Sequence, residues 1–196
     1  MKTRIIYLTG VVGCLFLLVS TSKVKAAEDA EAEESSGKDE YPSLDAECLN
    51  DHASVIKKRD KAKIKSLCKK ADKDNAPFMV VTVGSLSDYD PQPFSIDLFV
   101  QTIFNDWDTG YEQKGQAVML FVALKEREFR IFVGDEYIDR LRNKASKIIR
   151  TVLAADFRYR KHSRGIRRTM GKLFDDVVKP HIRAKKKAQK AKNQRL

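Results

Sequence analysis

Residues 80–134 limit the possible folds more than any other stretch of the chain. Phe78–Val83 and Val118–Leu124 are near-continuous apolar runs. A run of that kind is a strand covered on both faces, since a strand with one wet face alternates apolar and polar residues. Between them Ile96, Phe99, Val100, Ile103, Phe104 and Trp107 recur on one stripe at helical spacing. This predicts a helix over 96–107 with Ser95 as its cap. Lys125-Glu126-Arg127-Glu128 is a charged turn, and Phe129–Val133 alternates only partly, as a strand near a sheet edge does. A buried strand, a crossover helix and a two-strand hairpin thus follow one another.

The flanks supply the rest of one domain. Ile64, Leu67, Cys68 and Ala71 mark the inner face of a helix over 57–72, stopped by Asn75-Ala76-Pro77, and residues 50–56 read as the loop leading into it. A third helix over 141–157 carries Ala145, Ile148, Ile149, Val152 and Leu153. A fourth over 163–182 carries Ile166, Met170, Leu173, Phe174, Val177 and Val178. The fold class is α/β: a layered α/β/α sandwich with a small mixed sheet of about four strands and four main helices.

The ends differ from this body. Lys2 and Arg4 precede the uncharged run Ile5–Val19, and Val24-Lys25-Ala26 offers a small-residue exit, the layout of a secretory signal peptide over 1–26. An uncleaved anchor is the rival, but the run is shorter than the roughly 20 residues a spanning helix needs. Residues 27–47 hold nine acids against Lys38 alone and have no periodicity. They read as an acidic disordered linker, or as a segment that folds back on a basic face. The domain is set at 48–180 and a basic tail at 181–196.

Export makes the cysteines informative. Cys48 and Cys68 are an even pair once Cys14 leaves with the signal, and an oxidising compartment favours a disulfide between them. Cys68 lies about 16 Å into the helix, so the chain must fold back near Ala53 and Val55 for the two to meet. A buried free Cys68 and an intermolecular bond are the alternatives.

Charge is the stronger functional signal. The chain has a formal net charge of +11. Arg140, Arg142, Lys144, Lys147, Arg150, Arg158, Arg160, Lys161, Arg164, Arg167, Arg168 and Lys172 face a single acid, Asp156, and the tail adds further cations without an acid. The apolar stripes of the last two helices face inward, so these charges face out and suit an anionic surface. Nucleic acid would fit the charge too, but export argues against it. His52, His162 and His181 sit in no catalytic pattern, and the chain has neither a glycine-rich phosphate loop nor a Cys-x-x-Cys pair.

Asp51-x-Ala53-x-Val55-Ile56, Val80–Leu86, Trp107-x-x-Gly110, Val118–Leu124, the 125–128 turn, Arg130–Gly134, Phe157-Arg158 and Gly165 together resemble the TPM domain over about 48–179. That family occurs in exported bacterial proteins, thylakoid-lumen phosphatase-like proteins and a nematode receptor modulator. The resemblance implies a mixed sheet of about four strands between helical layers. It also implies divalent-cation or acid-phosphatase chemistry at an acidic cluster. Asp51 is kept, but the family's Asp-Asn-Gly reads Gly115-Gln116-Ala117, and its Gly-x-Gly-x-Glu reads Gly134-Asp135-Glu136-Tyr137-Ile138. Asp51, Asp135 and Glu136, with Asp108 in a neighbouring loop, are the remaining candidate ligands for calcium or magnesium, which bind several converging oxygens. Asp106-x-Asp108-x-Gly110 is a fragment of a calcium loop without its later Glu.

The functional expectation is an exported (periplasmic, lumenal or secreted), non-catalytic accessory protein. It docks peripherally on an anionic membrane or envelope surface and assists a membrane-bound complex. The alternative is a metal-dependent acid phosphatase with an altered acidic pocket.

Overall fold

Strands β2 (Phe78–Val83) and β3 (Val118–Ala123) are buried at every residue. In the computed structural model they form the middle of a four-stranded sheet in the order β1-β2-β3-β4, with β1 (Leu49–Asp51) parallel to β2, β2 parallel to β3, and β4 (Glu128–Val133) antiparallel at the edge. Residues 38–46, 48–90, 95–107, 114–141 and 144–194 are described. The 1–26 leader, residues 27–37, Asp108 and Arg142 lie outside them, as does the side chain of Arg140. Among the described residues no helix is long and apolar enough to cross a membrane.

Alternate side chains of the central strands enter two cores. Phe78, Val80, Val118, Leu120 and Val122 face one side, where α1 (Lys58–Asp72) supplies Ile64, Cys68 and Ala71. The same core takes Ile148 and Leu153 from α3 (145–158), and Ile166, Met170, Leu173 and Val177 from α4 (162–193). Met79, Val81, Met119 and Phe121 face the other side, which α2 (Ile96–Asp106) covers with Phe99, Val100, Ile103 and Phe104. The four helices and mixed sheet are the expected sandwich, with three helices on one face and one on the other.

Four details depart from the sequence reading. Strand β1 was read as loop; it is three residues long, and its buried Asn50 is satisfied by Ala46 and Asp45 rather than by apolar packing. Residues 38–46, read as linker, lie on the α2 side: Tyr41 stacks against Phe99 with centroids 5.3 Å apart, and Pro42 is buried. Ser95 precedes α2 without a side-chain cap bond. The tail is not separate from the last helix, which runs on to Asn193.

That continuation passes Pro180, which cannot donate to the carbonyl of Asp176 and whose ring crowds a regular helix. A π turn at Phe174–Val178 widens the backbone just before it. The Asp176 carbonyl accepts instead from Lys144 Nζ at 3.1 Å. Beyond Ile182 every described residue of α4 is exposed.

Cys48 and Cys68 form the expected disulfide, with Cα atoms 6.0 Å apart. The reversal that brings them together is built by Asp51: its carboxylate accepts from Val55 N and Ile56 N, both at 3.1 Å, and Ser54 takes a left-handed φ of 52° between them. The bridge closes a 20-residue separation, so replacing both cysteines by serine should cost about 3 kcal/mol in urea denaturation. An unchanged midpoint with and without reductant would show that the bridge does not form in solution.

Candidate anion-binding face

Helix α4 lies between α1 and α3, and buried carboxylates fasten it to both. Asp156, with a side chain 3 % exposed, sits at the end of α3 and accepts from Arg164 Nε at 3.1 Å, Arg164 Nη2, and Arg168 Nη1 at 3.0 Å. The Arg164 hydrogen bonds hold its pKa below the usual carboxylate range against the opposing effect of burial, and Arg168 adds to this. Asp60 of α1, 6 % exposed, pairs with Arg167 Nε at 2.9 Å and accepts from Ser163 Oγ at 2.6 Å. Ser163 Oγ in turn accepts from Lys57 N at 3.0 Å. Gly165 permits the close approach of α3 and α4, since a Cβ there would come within 3.0 Å of Asp156 Cβ and 3.2 Å of Phe157 Cδ2.

These acids point inward beneath partly exposed cations, so what reaches solvent is mostly positive, with Asp72 of α1 and Asp175 of α4 as exposed acids among it. Lys58, Arg59, Lys63, Lys65, Lys69 and Lys70 are exposed on α1; Lys147, Arg150 and Arg158 on α3; and Arg164, Arg168 and Lys172 on α4. The opposite side of the sheet has the other sign. Helix α2 contains no cation, and its Asp97 and Asp106 are exposed, Asp97 being paired with Arg130 of β4. Asp39, Glu40, Asp88 and Asp90 are exposed around Tyr41 and Tyr89, both of which stack on Phe99. Titration follows this division. The Tyr89 phenol is pushed up to about 12 by burial and by Asp88 and Asp39. His162, on the basic side, is pushed down by burial and by Arg160.

The expected anion-binding residues therefore divide by role. Arg164, Arg167 and Arg168 are braced by carboxylates, Lys172 pairs with Asp176 at 2.9 Å, and Lys144 bonds the Asp176 carbonyl. Lys161 Nζ stands 5.8 Å from the centre of the Tyr159 ring. Lys147, Arg150, Arg158 and Arg160 are exposed and form no ion pair with another described residue. Two contributors are not among those expected from the sequence: the cations of α1, whose helix also carries Asp60 and Asp72, and the cation-free α2.

The described candidate metal ligands, Asp51, Asp135 and Glu136, do not converge. Asp51 ends β1 level with Thr82, Val122 and Phe129. Asp135 and Glu136 follow Val133, which pairs with Val118. Because β4 runs antiparallel, Val133 stands about 13 Å further along the strands and three strand spacings across, and both acids follow it. Both Asp51 oxygens are also occupied: Oδ1 accepts from Thr82 Oγ1 at 2.7 Å and Val55 N, and Oδ2 from Ile56 N and Lys61 Nζ at 2.8 Å. Glu136 Oε2 lies 3.0 Å from His181 Nε2 and 3.9 Å from Lys185 Nζ. Among the described residues no three His, Cys, Asp or Glu side chains come together. This donor set does not fit a calcium or magnesium ion. Nor do the histidines form a catalytic array: His52 Nδ1 lies 3.7 Å from Asp45, and His162 stacks on Phe157.

A carboxylate whose pKa is depressed on folding stabilises above its unfolded pKa, near 4, and that stabilisation is lost as pH falls through the lower folded value. Stability contributed by Asp156 is thus complete at neutral pH and lost in acid. Asp156→Asn should be destabilised at pH 7 and show a shallower loss of melting temperature below pH 4 than the parent; parallel acid limbs would exclude the Asp156 clamp. Gly165→Ala should cost about 1–3 kcal/mol by overpacking, measured by denaturant titration.

A sequence profile of the TPM domain matches residues 49–176. No curated protein sequence gives a significant match. Eight chains of solved structures match. One is the solution NMR structure of the N-terminal domain of a protein from P. gingivalis, similar at 19 % identity and a TM-score of 0.56 over 65 % of this chain and 79 % of that one. That likeness concerns the fold alone. With the profile covering more than half of its length, the chain belongs to the TPM domain family.

Proposed function

We propose that this TPM domain is exported, binds an anionic membrane or envelope surface through the α1/α3/α4 layer, and assists a membrane-bound complex without catalysing a reaction itself. The observation that carries this reading is the separation of charge across the sheet, basic on the three-helix side and acidic around α2. Each cation near an anionic bilayer contributes about 1 kcal/mol, and salt weakens the attraction. The acidic side is repelled by the same surface, so the charges orient the domain as well as attract it. Export is supported by the signal-like leader and by a disulfide, which persists in oxidising compartments. The non-catalytic part rests on the saturated Asp51 carboxylate and on its separation from Asp135 and Glu136.

Vesicles containing acidic lipid should retain the protein at low salt and release it steeply as salt is raised. The pair Lys147→Glu and Arg150→Glu, on side chains that form no described ion pair, should weaken binding on the order of thirtyfold or more. Truncation after Pro180, which removes exposed cations of α4, should weaken it further. Equal retention by neutral vesicles would overturn surface binding. Phosphate-ester hydrolysis abolished by a chelator would overturn the non-catalytic role.

A further inference from the structure

The turn joining α3 to α4 places an apolar ring among cations at one end of the basic layer. Tyr159 is 69 % exposed, more than Leu98 or Ile138, the other exposed large apolar side chains among the described residues. Its neighbours Arg158, Arg160 and Lys161 are all exposed. A single exposed aromatic ordinarily needs no explanation, but three features of this turn set it apart.

The first is rigidity. Tyr159 N and Lys161 N both donate to the Asp156 carbonyl, at 3.1 and 3.0 Å, and Arg160 N donates to that of Phe157 at 2.9 Å. The Asp156 carboxylate meanwhile holds Arg164 and Arg168. The second is that the inward place is taken. Phe157 fills it, edge-on to Phe129 at 4.8 Å and 4.5 Å from His162 between ring centres, and this leaves Tyr159 outside. The third is backbone conformation. Arg160 sits at φ 54°, in the left-handed region that is unfavourable for a residue with a side chain. The packing of both helices maintains it and keeps Tyr159 at the tip.

We propose that Tyr159 is a membrane anchor: its ring enters the headgroup layer of an anionic lipid bilayer while Arg158, Arg160 and Lys161 reach the surrounding phosphates. This rests on the surface-binding reading above and adds the point of entry. A tyrosine suits that depth because its ring is apolar and its hydroxyl still finds polar partners. Arginine and lysine stems can lie along the apolar boundary while their charged ends stay in the headgroups. A soluble polyanion would meet the same cations but would give the ring no apolar layer to enter.

The chain's single tryptophan is Trp107, at the end of α2 on the opposite side of the sheet. This makes the parent protein a control for Tyr159→Trp. With vesicles of phosphatidylcholine and phosphatidylglycerol carrying a shallow nitroxide quencher, the variant's fluorescence should shift to the blue and be quenched on binding, well beyond any change in the parent. Tyr159→Ser should weaken vesicle binding roughly tenfold, the effect of losing about 1.4 kcal/mol, with Tyr159→Phe close to the parent and heparin binding unchanged in both. Tyr159 is exposed, so these variants leave the core intact. Equal quenching in variant and parent, undiminished vesicle binding by Tyr159→Ser, or an equal loss of heparin binding overturns the anchor alone. Failure of the parent to bind anionic vesicles at any salt overturns the surface-binding reading and the anchor with it.

Discussion

Strands β2 and β3 have no face that water can reach, and the arrangement of the helices follows from this. A strand buried on both sides needs a helical layer on each. Five apolar side chains of β2 alternate between two cores that share no buried residue, Phe78 and Val80 on one side and Met79, Val81 and Val83 on the other. One layer is α2 with residues 38–46 laid beside it. The other is α1, α4 and α3. Every helix then has a fixed inner face, and whatever charge it carries is sent to its own side of the molecule. Since α2 lacks cations and the other three are rich in them, the sheet separates charges that composition only sums.

Within the three-helix layer the acids have a second role. Asp51, Asp60 and Asp156 are nearly inaccessible, and each is met by a cation and by further hydrogen bonds. Burying such groups is costly, and removing one partner of a buried pair destabilises strongly. Ion pairs of this kind fix relative position more than they add stability. Asp51 sets the chain reversal before α1, Asp60 joins α1 to α4, and Asp156 joins α3 to α4. Several exposed cations, Arg164, Arg168 and Lys172 among them, are held by these and neighbouring acids, whereas Lys147, Arg150, Arg158 and Arg160 are exposed and form no ion pair with another described residue.

The parts of the fold written in long apolar patterns were legible. Strand β2 spans the expected residues, β3 and β4 differ by one residue at an end, and α1 and α2 begin or end within a residue of expectation. Pairing of Cys48 with Cys68 is the simplest expectation from their number and an expected oxidising compartment, and the bridge is present. What escaped depends on polar contacts between distant residues. Strand β1 is three residues long and held partly by the Asn50 amide, so no periodicity announces it. Residues 38–46 are acidic enough to read as linker, yet Tyr41 and Pro42 attach them. The third helix was expected from 141; a short turn, Ile138–Leu141, precedes the one that starts at 145. The distance between Asp51 and the Asp135–Glu136 pair has a topological cause that the sequence does not display: the antiparallel course of β4 sends its end away from the end of β1.

The end of α4 has a separate consequence. Residues 183–193 bury nothing, and their like charges recur at i and i+4, as at Arg183 and Lys187 or Lys186 and Lys190, which disfavours a helix. An isolated peptide of this composition would also face the cost of forming a first turn. Here the turns before it are already packed, and Lys144 supplies the bond that Pro180 withholds. Nucleation is complete, and only propagation remains, one residue at a time, against mutual repulsion. Two pairs, Lys186 with Asp74 and Lys185 with Glu136, tie the first part of this extension back to the domain; past them the like charges repel, and that repulsion is weakened by salt.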